Sequence, residues 1–224
     1  LGLSGGVDSA LRLAIASDSL GKNHIKSFFL PSIFTSKESR IDALNLSRNL
    51  EIDTTELSIE NLKIKILDEL KYIFKDLKND ITEENIQSRI RGLLLMAISN
   101  KFNSLLITTG NKSELSVGYS TLYGDMCGGY SLLKDIYKTK VFELCEWRNK
   151  NILDEFKVKK LNVIPREIIK KEPSAELKFD QKDSDSLPYY ETLDKILELL
   201  IDQNKGMDFI VKKGFKKNIV NKIW

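Results

Sequence analysis

The chain has 224 residues, 42% hydrophobic and 30% charged, the balance of an ordinary globular domain long enough to bury a sizeable core. Its 35 Lys and Arg are interspersed with 32 Asp and Glu, and the resulting net charge of +3 leaves no case for nucleic acid as a partner. A single His, and two Cys (Cys127 and Cys145) outside any Cys-x-x-Cys spacing, exclude a histidine triad, a zinc cluster and a disulfide framework. The expected compartment is reducing, the cytoplasm.

In chain order, Leu1-Gly2-Leu3-Ser4-Gly5-Gly6-Val7-Asp8-Ser9-Ala10 reads as a strand end, a tight turn and a helix start. Glycines let backbone come close to a ligand, and free N–H groups at a helix start attract an anion. Two hydroxyls, Ser4 and Ser9, can add hydrogen bonds. Asp8 would repel a phosphate unless a divalent cation lay between them, so the stretch suits a magnesium polyphosphate. Neither a Walker A Gly-Lys-[Ser/Thr] nor a Gly-x-Gly-x-x-Gly fingerprint is present. Taken alone, the ten residues are also compatible with a plain Gly-rich turn carrying a Ser/Asp cap.

The opening helix is expected to run to about Ser19. A strand over 25–30, a helix over 37–50 and a short strand over 53–58 follow. Leu62, Ile66, Leu70 and Ile73 predict an amphipathic helix over 61–77. Residues 83–102 carry the longest helix signal, and Leu93 to Ile98 predict that it is buried on most sides. Residues 105–110 predict a strand ending at Gly110. Strands alternating with helices imply right-handed crossovers and a doubly wound parallel sheet with flanking helices. Ligands of such sheets bind beyond the carboxyl ends of the strands, so the opening loop and the Thr109 turn are expected to face each other. Residues 110–130 form a long Gly-rich connection of the kind that is usually functional. Helices are expected over 138–149, 189–203 and 207–213. Ile164-Pro165 opens a turn, and the polar loop 173–188 is expected to act as a lid over bound nucleotide. Lys212, Lys213, Lys216, Lys217 and Lys222 read as a solvated face. No apolar run is long enough to span a membrane, and a signal peptide is not expected. The chain starts at Leu1 inside an expected strand and stops at Trp224 inside an expected helix, so a single domain over 1–224, cut at both ends, is expected.

The opening loop resembles that of the ATP pyrophosphatase superfamily. Four further blocks resemble the synthetase domain of NAD synthetases, in the family's order: Glu84-Asn-Ile-Gln-Ser-Arg89-Ile-Arg91, Thr109-Gly-Asn-Lys-Ser-Glu114, Gly118 to Gly129 with Lys134-Asp135, and Glu172-Pro-Ser-Ala-Glu-Leu177 with Gln181. The resemblance implies an adenine nucleotide alpha hydrolase-like fold. It also implies a reaction in which ATP adenylates the nicotinate carboxylate of deamido-NAD and ammonia then displaces AMP. Ser4, Gly5, Gly6, Asp8, Ser9, Thr109, Lys138 and Ser174 are implied ATP contacts, with Lys138 acting electrostatically and no protein acid or base demanded. Asp8 and Glu114 are implied Mg²⁺ ligands, and Arg89, Glu114, Tyr123 and Asp125 are implied deamido-NAD contacts. Residue by residue, the plainer readings are a helix cap for Asp8, a solvated acid for Glu114, a strand-end Thr109, and surface roles for Lys138 and Arg89. Leu122, Gly129, Ser184 and Phe29 depart from the ammonia-dependent pattern and resemble the glutamine-dependent type, in which an upstream amidase domain supplies the ammonia. Homodimers are common in the family. The rivals are a GMP synthetase or tRNA-modifying module, which shares only the opening loop, and a non-catalytic nucleotide sensor. Cys127 is read as a small residue rather than a nucleophile.

Overall fold

The computed structural model describes residues 1–224. The opening turn leads directly into helix α1, Val7–Leu20, whose apolar side chains Leu11, Leu13 and Ala14 are buried. Gly21 ends it with φ +80, and the chain returns as strand β1, Ser27–Phe29. Helix α2, Lys37–Asn49, starts at the Ser36 cap, where the hydroxyl accepts from the Ser39 N–H, and leads to β2, Thr54–Glu56. Strands β1 and β2 pair in parallel, Ser27 with Thr54 and Phe29 with Glu56. The opening residues extend this sheet on the other side of β1: Leu3 N donates to Phe28 O at 2.8 Å, and Phe28 N donates to Leu1 O at 3.0 Å. The two crossovers leave three parallel segments whose carboxyl ends share one edge.

Helix α3, Glu60–Leu70, stops seven residues short of the expected end, and the Ile73 side chain is 72% exposed. Past Leu70 there is no apolar surface for a further turn to cover, so amphipathic spacing alone does not extend the helix. Helix α4, Ile81–Lys101, begins at a capping box in which Asp80 accepts from Thr82 N and Glu83 accepts from Asp80 N. Its apolar run is not buried on most sides. Leu94 and Leu95 pack towards Leu30, Ile59, Ile86 and Ile90, while Leu93 is 66% exposed on the opposite face.

The expected strand at 105–110 is reduced to a parallel bridge between Ile107 and Tyr130. The cause is Arg12. Its guanidinium lies between the two chain segments and donates to Gly2 O at 2.7 Å and Ile107 O at 2.8 Å, so a side chain takes the place of ladder bonds. The 110–130 connection contains helix α5, Lys112–Ser116, begun by the Asn111 cap. Helix α6, Lys138–Lys150, packs on α1 with Val141 and Cys145 buried. Helix α7, Arg166–Lys170, follows Pro165, where the sequence predicts only a turn. Proline's fixed φ makes it a ready helix opener. The 173–188 loop contains a short 3-10 turn over Asp183–Asp185. Helix α8, Tyr190–Leu197, continues as a π-helical segment over Glu198–Asp202, so the helix expected over 189–203 is present with a widened last part, and α9, Met207–Lys212, and α10, Lys217–Ile223, close the chain. The five C-terminal lysines are exposed. No helix is long and apolar enough to cross a membrane.

The main core lies between the sheet, α1, α2, α6 and α7, with Leu3, Leu46, Leu133, Val141, Ile164 and Ile168 all buried. This core sets the distance between the two loops that form the site: α1 and α6 both start at the same sheet edge.

Candidate active site

The opening turn is built around Gly5, which has φ +82; a Cβ there would lie 2.2 Å from Ser39 O. Only glycine lets the turn lie against the first turn of α2. The N-cap of α1 is Gly6, with no side-chain cap, so neither Ser nor Asp8 caps the helix and its first N–H groups face the cleft. The Ser9 hydroxyl works inside the turn: it accepts from Ser4 N at 3.2 Å and donates to Gly6 O at 2.8 Å. The Ser4 hydroxyl accepts from Gly6 N at 3.2 Å and donates to Ser9. Ser9 therefore shapes the loop, and Ser4 stands nearer the opening.

The Thr109 turn faces this loop as expected. The Asn111 amide donates to Asp8 Oδ1 at 2.8 Å, while its carbonyl oxygen caps α5 by accepting from Glu114 N at 3.0 Å. Between the loops, the Lys138 ammonium bonds Asp8 Oδ2 at 2.6 Å and Glu114 Oε1 at 2.9 Å. The three side chains are 4%, 15% and 18% exposed for Lys138, Asp8 and Glu114, so the surface reading of Lys138 and the solvated reading of Glu114 do not hold. Burial pushes the Glu114 carboxyl up to about 7; the Lys138 ammonium opposes this, and Asp8 and Asp183 add to it. Burial works against the charge on Lys138, but Asp8, Glu114 and Asp183 outweigh it and hold the ammonium above its ordinary pKa. Asp183, itself buried, accepts from the hydroxyls of Tyr190 at 2.8 Å and Tyr119 at 3.2 Å.

The cleft runs from this triad past Thr109 and Asp125 towards Ser174. The Thr109 hydroxyl donates to Asp125 O at 3.4 Å, and the Asp125 carboxylate accepts from Thr121 N at 2.9 Å. Ser174 accepts from Glu176 N at 3.1 Å. The Glu176 carboxylate in turn accepts from the hydroxyls of Ser36 at 2.8 Å and Ser39 at 2.6 Å, which docks the 173–177 stretch across the cleft onto the start of α2.

Arg89 and Tyr123 lie apart from this group. Arg89 is exposed and donates to Leu122 O at 3.2 Å; Tyr123 beside it is 73% exposed, and neither lines the cleft. Arg91, on the same helix, does line it; it donates to Leu30 O at 2.9 Å, and burial lowers its pKa to about 10. Helical spacing holds the signal: Ser88, Arg91, Gly92 and Leu95 line the cleft at i, i+3, i+4 and i+7, and Arg89 falls on another face. Sequence reasoning also misses Asn111, Asp183 and Tyr190. An Asx cap three residues before Glu114 is a signal for Asn111, but the other two meet the site only through the fold. Cys127 lines the cleft with its Sγ against Gly92, where a Cβ would come within 3.0 Å of it, in keeping with a packing role.

Two hard carboxylates that converge on one cation from facing loops form a donor set suited to Mg²⁺, which takes one or two carboxylates and completes its shell with phosphate oxygens and water.

The family model described as NAD synthase matches residues 1–224. A glutamine-dependent NAD(+) synthetase of Rhodobacter capsulatus is 50% identical over 223 residues, which is 100% of this chain and 40% of that protein. The chain thus spans about two fifths of the length of that relative. Among solved structures, the glutamine-dependent NAD+ synthetase of Acinetobacter baumannii in complex with ADP superposes with a TM-score of 0.71 at 42% identity, over 99% of this chain and 38% of that one. The NMN synthetase of Francisella tularensis superposes with a TM-score of 0.79 at 26% identity, over 99% and 80%. The α/β fold is that of the NAD synthetase structures, and the chain belongs to the NAD synthase family.

Proposed function

We propose that residues 1–224 are the synthetase domain of an NAD+ synthetase, a ligase that uses ATP to amidate deamido-NAD. The carrying observation is the convergence of Asp8, Glu114 and Lys138 beneath the uncapped start of α1. In the first step a nicotinate carboxylate oxygen bonds to the α-phosphorus of ATP, and the bond to pyrophosphate breaks. In the second, ammonia bonds to the carboxyl carbon, AMP leaves, and a proton passes to solvent. The carboxylate is already ionised at neutral pH, so no general base is needed for the first step. The barrier lies in bringing anions together, and positioning with charge neutralisation lowers it.

Ser4, Gly5, Gly6 and the first N–H groups of α1 hold the phosphates. Lys138 neutralises charge on the departing pyrophosphate, and Thr109 and Ser174 contact the nucleotide. Asp8 and Glu114 would hold Mg²⁺, which supplies further neutralisation and aligns the phosphates. Asp125 contacts deamido-NAD at the cleft, and Arg89 and Tyr123 contact it outside, where a long dinucleotide extends beyond the cleft. The bare face of α4 around Leu93 is where a second copy of the chain would complete a homo-oligomer. The name of the R. capsulatus relative supports glutamine as the nitrogen source, with ammonia delivered from an amidase domain, and the cytoplasm is the proposed setting. A GMP synthetase, tRNA-modifying or sensor role is not favoured by the family match.

Pyrophosphate release from Mg·ATP by the full-length protein tests the reading, with deamido-NAD, nicotinate mononucleotide or xanthosine monophosphate as acceptor. Release driven by deamido-NAD, with NAD+ formed on adding ammonium or glutamine, is expected. The F. tularensis likeness makes the mononucleotide the competing acceptor, and a preference for it would move the assignment to that product. Release driven by the xanthosine nucleotide alone would overturn the reading.

A further inference from the structure

We propose that Asp194 is a positioning residue: from α8 it fixes where Lys138 and Glu114 stand in the cleft. The proposal rests on the phosphate-binding role given to Lys138 above.

Helix α6 opens at Lys138 without a side-chain cap from its own N-cap residue, Tyr137. The missing cap comes from α8. Asp194 Oδ2 accepts from Thr139 N at 2.8 Å, and Asp194 Oδ1 accepts from the Ser113 hydroxyl. That hydroxyl itself accepts from Lys138 N at 2.8 Å. Ser113, Asp194 and Lys138 are all buried, so no water can substitute for a lost partner. The chain of bonds has one direction: the Lys138 N–H ends on the Ser113 hydroxyl, and that hydroxyl's proton and the Thr139 N–H end on the two oxygens of the Asp194 carboxylate. A carboxylate accepts at both oxygens, whereas an amide in its place must present N–H₂ to one of the two donors. Ser113 is the residue before Glu114 and Thr139 the residue after Lys138, so the same carboxylate holds the chain neighbours of both charged partners.

Tyr190, four residues earlier on the same face of α8, reaches the other end of Lys138. Its ring centre lies 5.1 Å from the ammonium, and its hydroxyl donates to Asp183 while lying 3.5 Å from Glu114 Oε1. Lys138 is therefore held at its backbone by Ser113, which Asp194 orients, and at its head by Tyr190. Helix α8 is in turn anchored away from the cleft by Leu193, Ile196 and Leu197, the last two buried with Ile210, Val220 and Ile223 of the C-terminal helices among their neighbours. Residues outside every sequence motif thus set the geometry of the reaction centre.

The test is a double-mutant cycle in the full-length protein, reading Mg·ATP affinity by equilibrium titration. Asp194→Asn should weaken binding about three- to tenfold, the loss expected of one buried hydrogen bond. In a Lys138→Met background the same change should cost less, because the phosphate-binding partner it positions is gone and only its effect through Glu114 remains. Equal losses in both backgrounds, or no loss in either, overturn the proposal. Ser113→Ala breaks the same chain of bonds from its other end and carries the same expectation if Asp194→Asn does not fold. Lys138→Met binding as tightly as wild type would instead remove the phosphate role of Lys138 itself.

Discussion

Gly5 and Gly6 are adjacent and identical in sequence, yet substituting them by alanine should have very different effects. At Gly5 the backbone has φ +82, and an added Cβ would stand 2.2 Å from Ser39 O, 2.9 Å from Ser39 C and 3.0 Å from Ser39 Cα. All three neighbours are backbone atoms of the first turn of α2, so none can rotate away. The left-handed conformation costs an alanine about 1 kcal/mol. The forced separation adds about 1–3 kcal/mol, the usual range for overpacking. Gly5→Ala should therefore destabilise by about 2–4 kcal/mol, lowering Tm by about 4–16 °C in a domain of this size. At Gly6 the φ is −90 and the nearest atom to an added Cβ is the Ser4 hydroxyl at 3.3 Å, so Gly6→Ala should lower Tm by less than about 4 °C. Gly5→Ala also shifts Ser4 and the start of α1 by about 1 Å relative to Lys138 and Glu114, a displacement that can cost about 100-fold in rate. Thermal unfolding of both variants, with substrate-driven pyrophosphate release, reads these effects. Equal Tm values for the two variants, or full activity in Gly5→Ala, would refute the close approach of the turn to α2.

Two further predictions concern the charged groups of the site. The Glu114 carboxyl is raised from 4.5 to about 7, so the folded ligand-free protein binds its proton more tightly than the unfolded chain does. The stabilisation is complete below the unfolded pKa and is lost as pH rises through 7, by up to about 3 kcal/mol. Urea unfolding at pH 5 and pH 7.5 should show this loss in wild type and not in Glu114→Gln; the same slope in both would sink the assignment. Arg89→Ala should weaken deamido-NAD binding more than ATP binding, because Arg89 stands outside the cleft. Arg91→Met should weaken ATP binding more, and titrations giving the reverse order would show that the two arginines have been assigned to the wrong ends of the site.

The local features of the phosphate loop are legible in the sequence. A strand end, Gly5-Gly6, Asp8 and an Ala/Leu-rich helix specify a strand-turn-helix with free N–H groups, because each of those preferences acts within a few residues. The alternation of elements likewise determines a parallel α/β fold and brings the two loops to one edge. Lengths are less legible wherever a long-range partner decides them. The helix expected over 61–77 ends at Leu70 because nothing packs on Ile73, and the strand expected over 105–110 gives way to a bridge because Arg12 takes its carbonyl. In sequence the buried Lys138 looks like any helix-start lysine. Its meaning comes from Asp8 and Glu114, 130 and 24 residues away in the chain. Arg91 rather than Arg89 in the cleft, and Asp194 beneath Lys138, are likewise decided by how helices sit on one another. Turns and caps are written in neighbouring residues, whereas burial and charge compensation depend on groups that only the folded chain brings together.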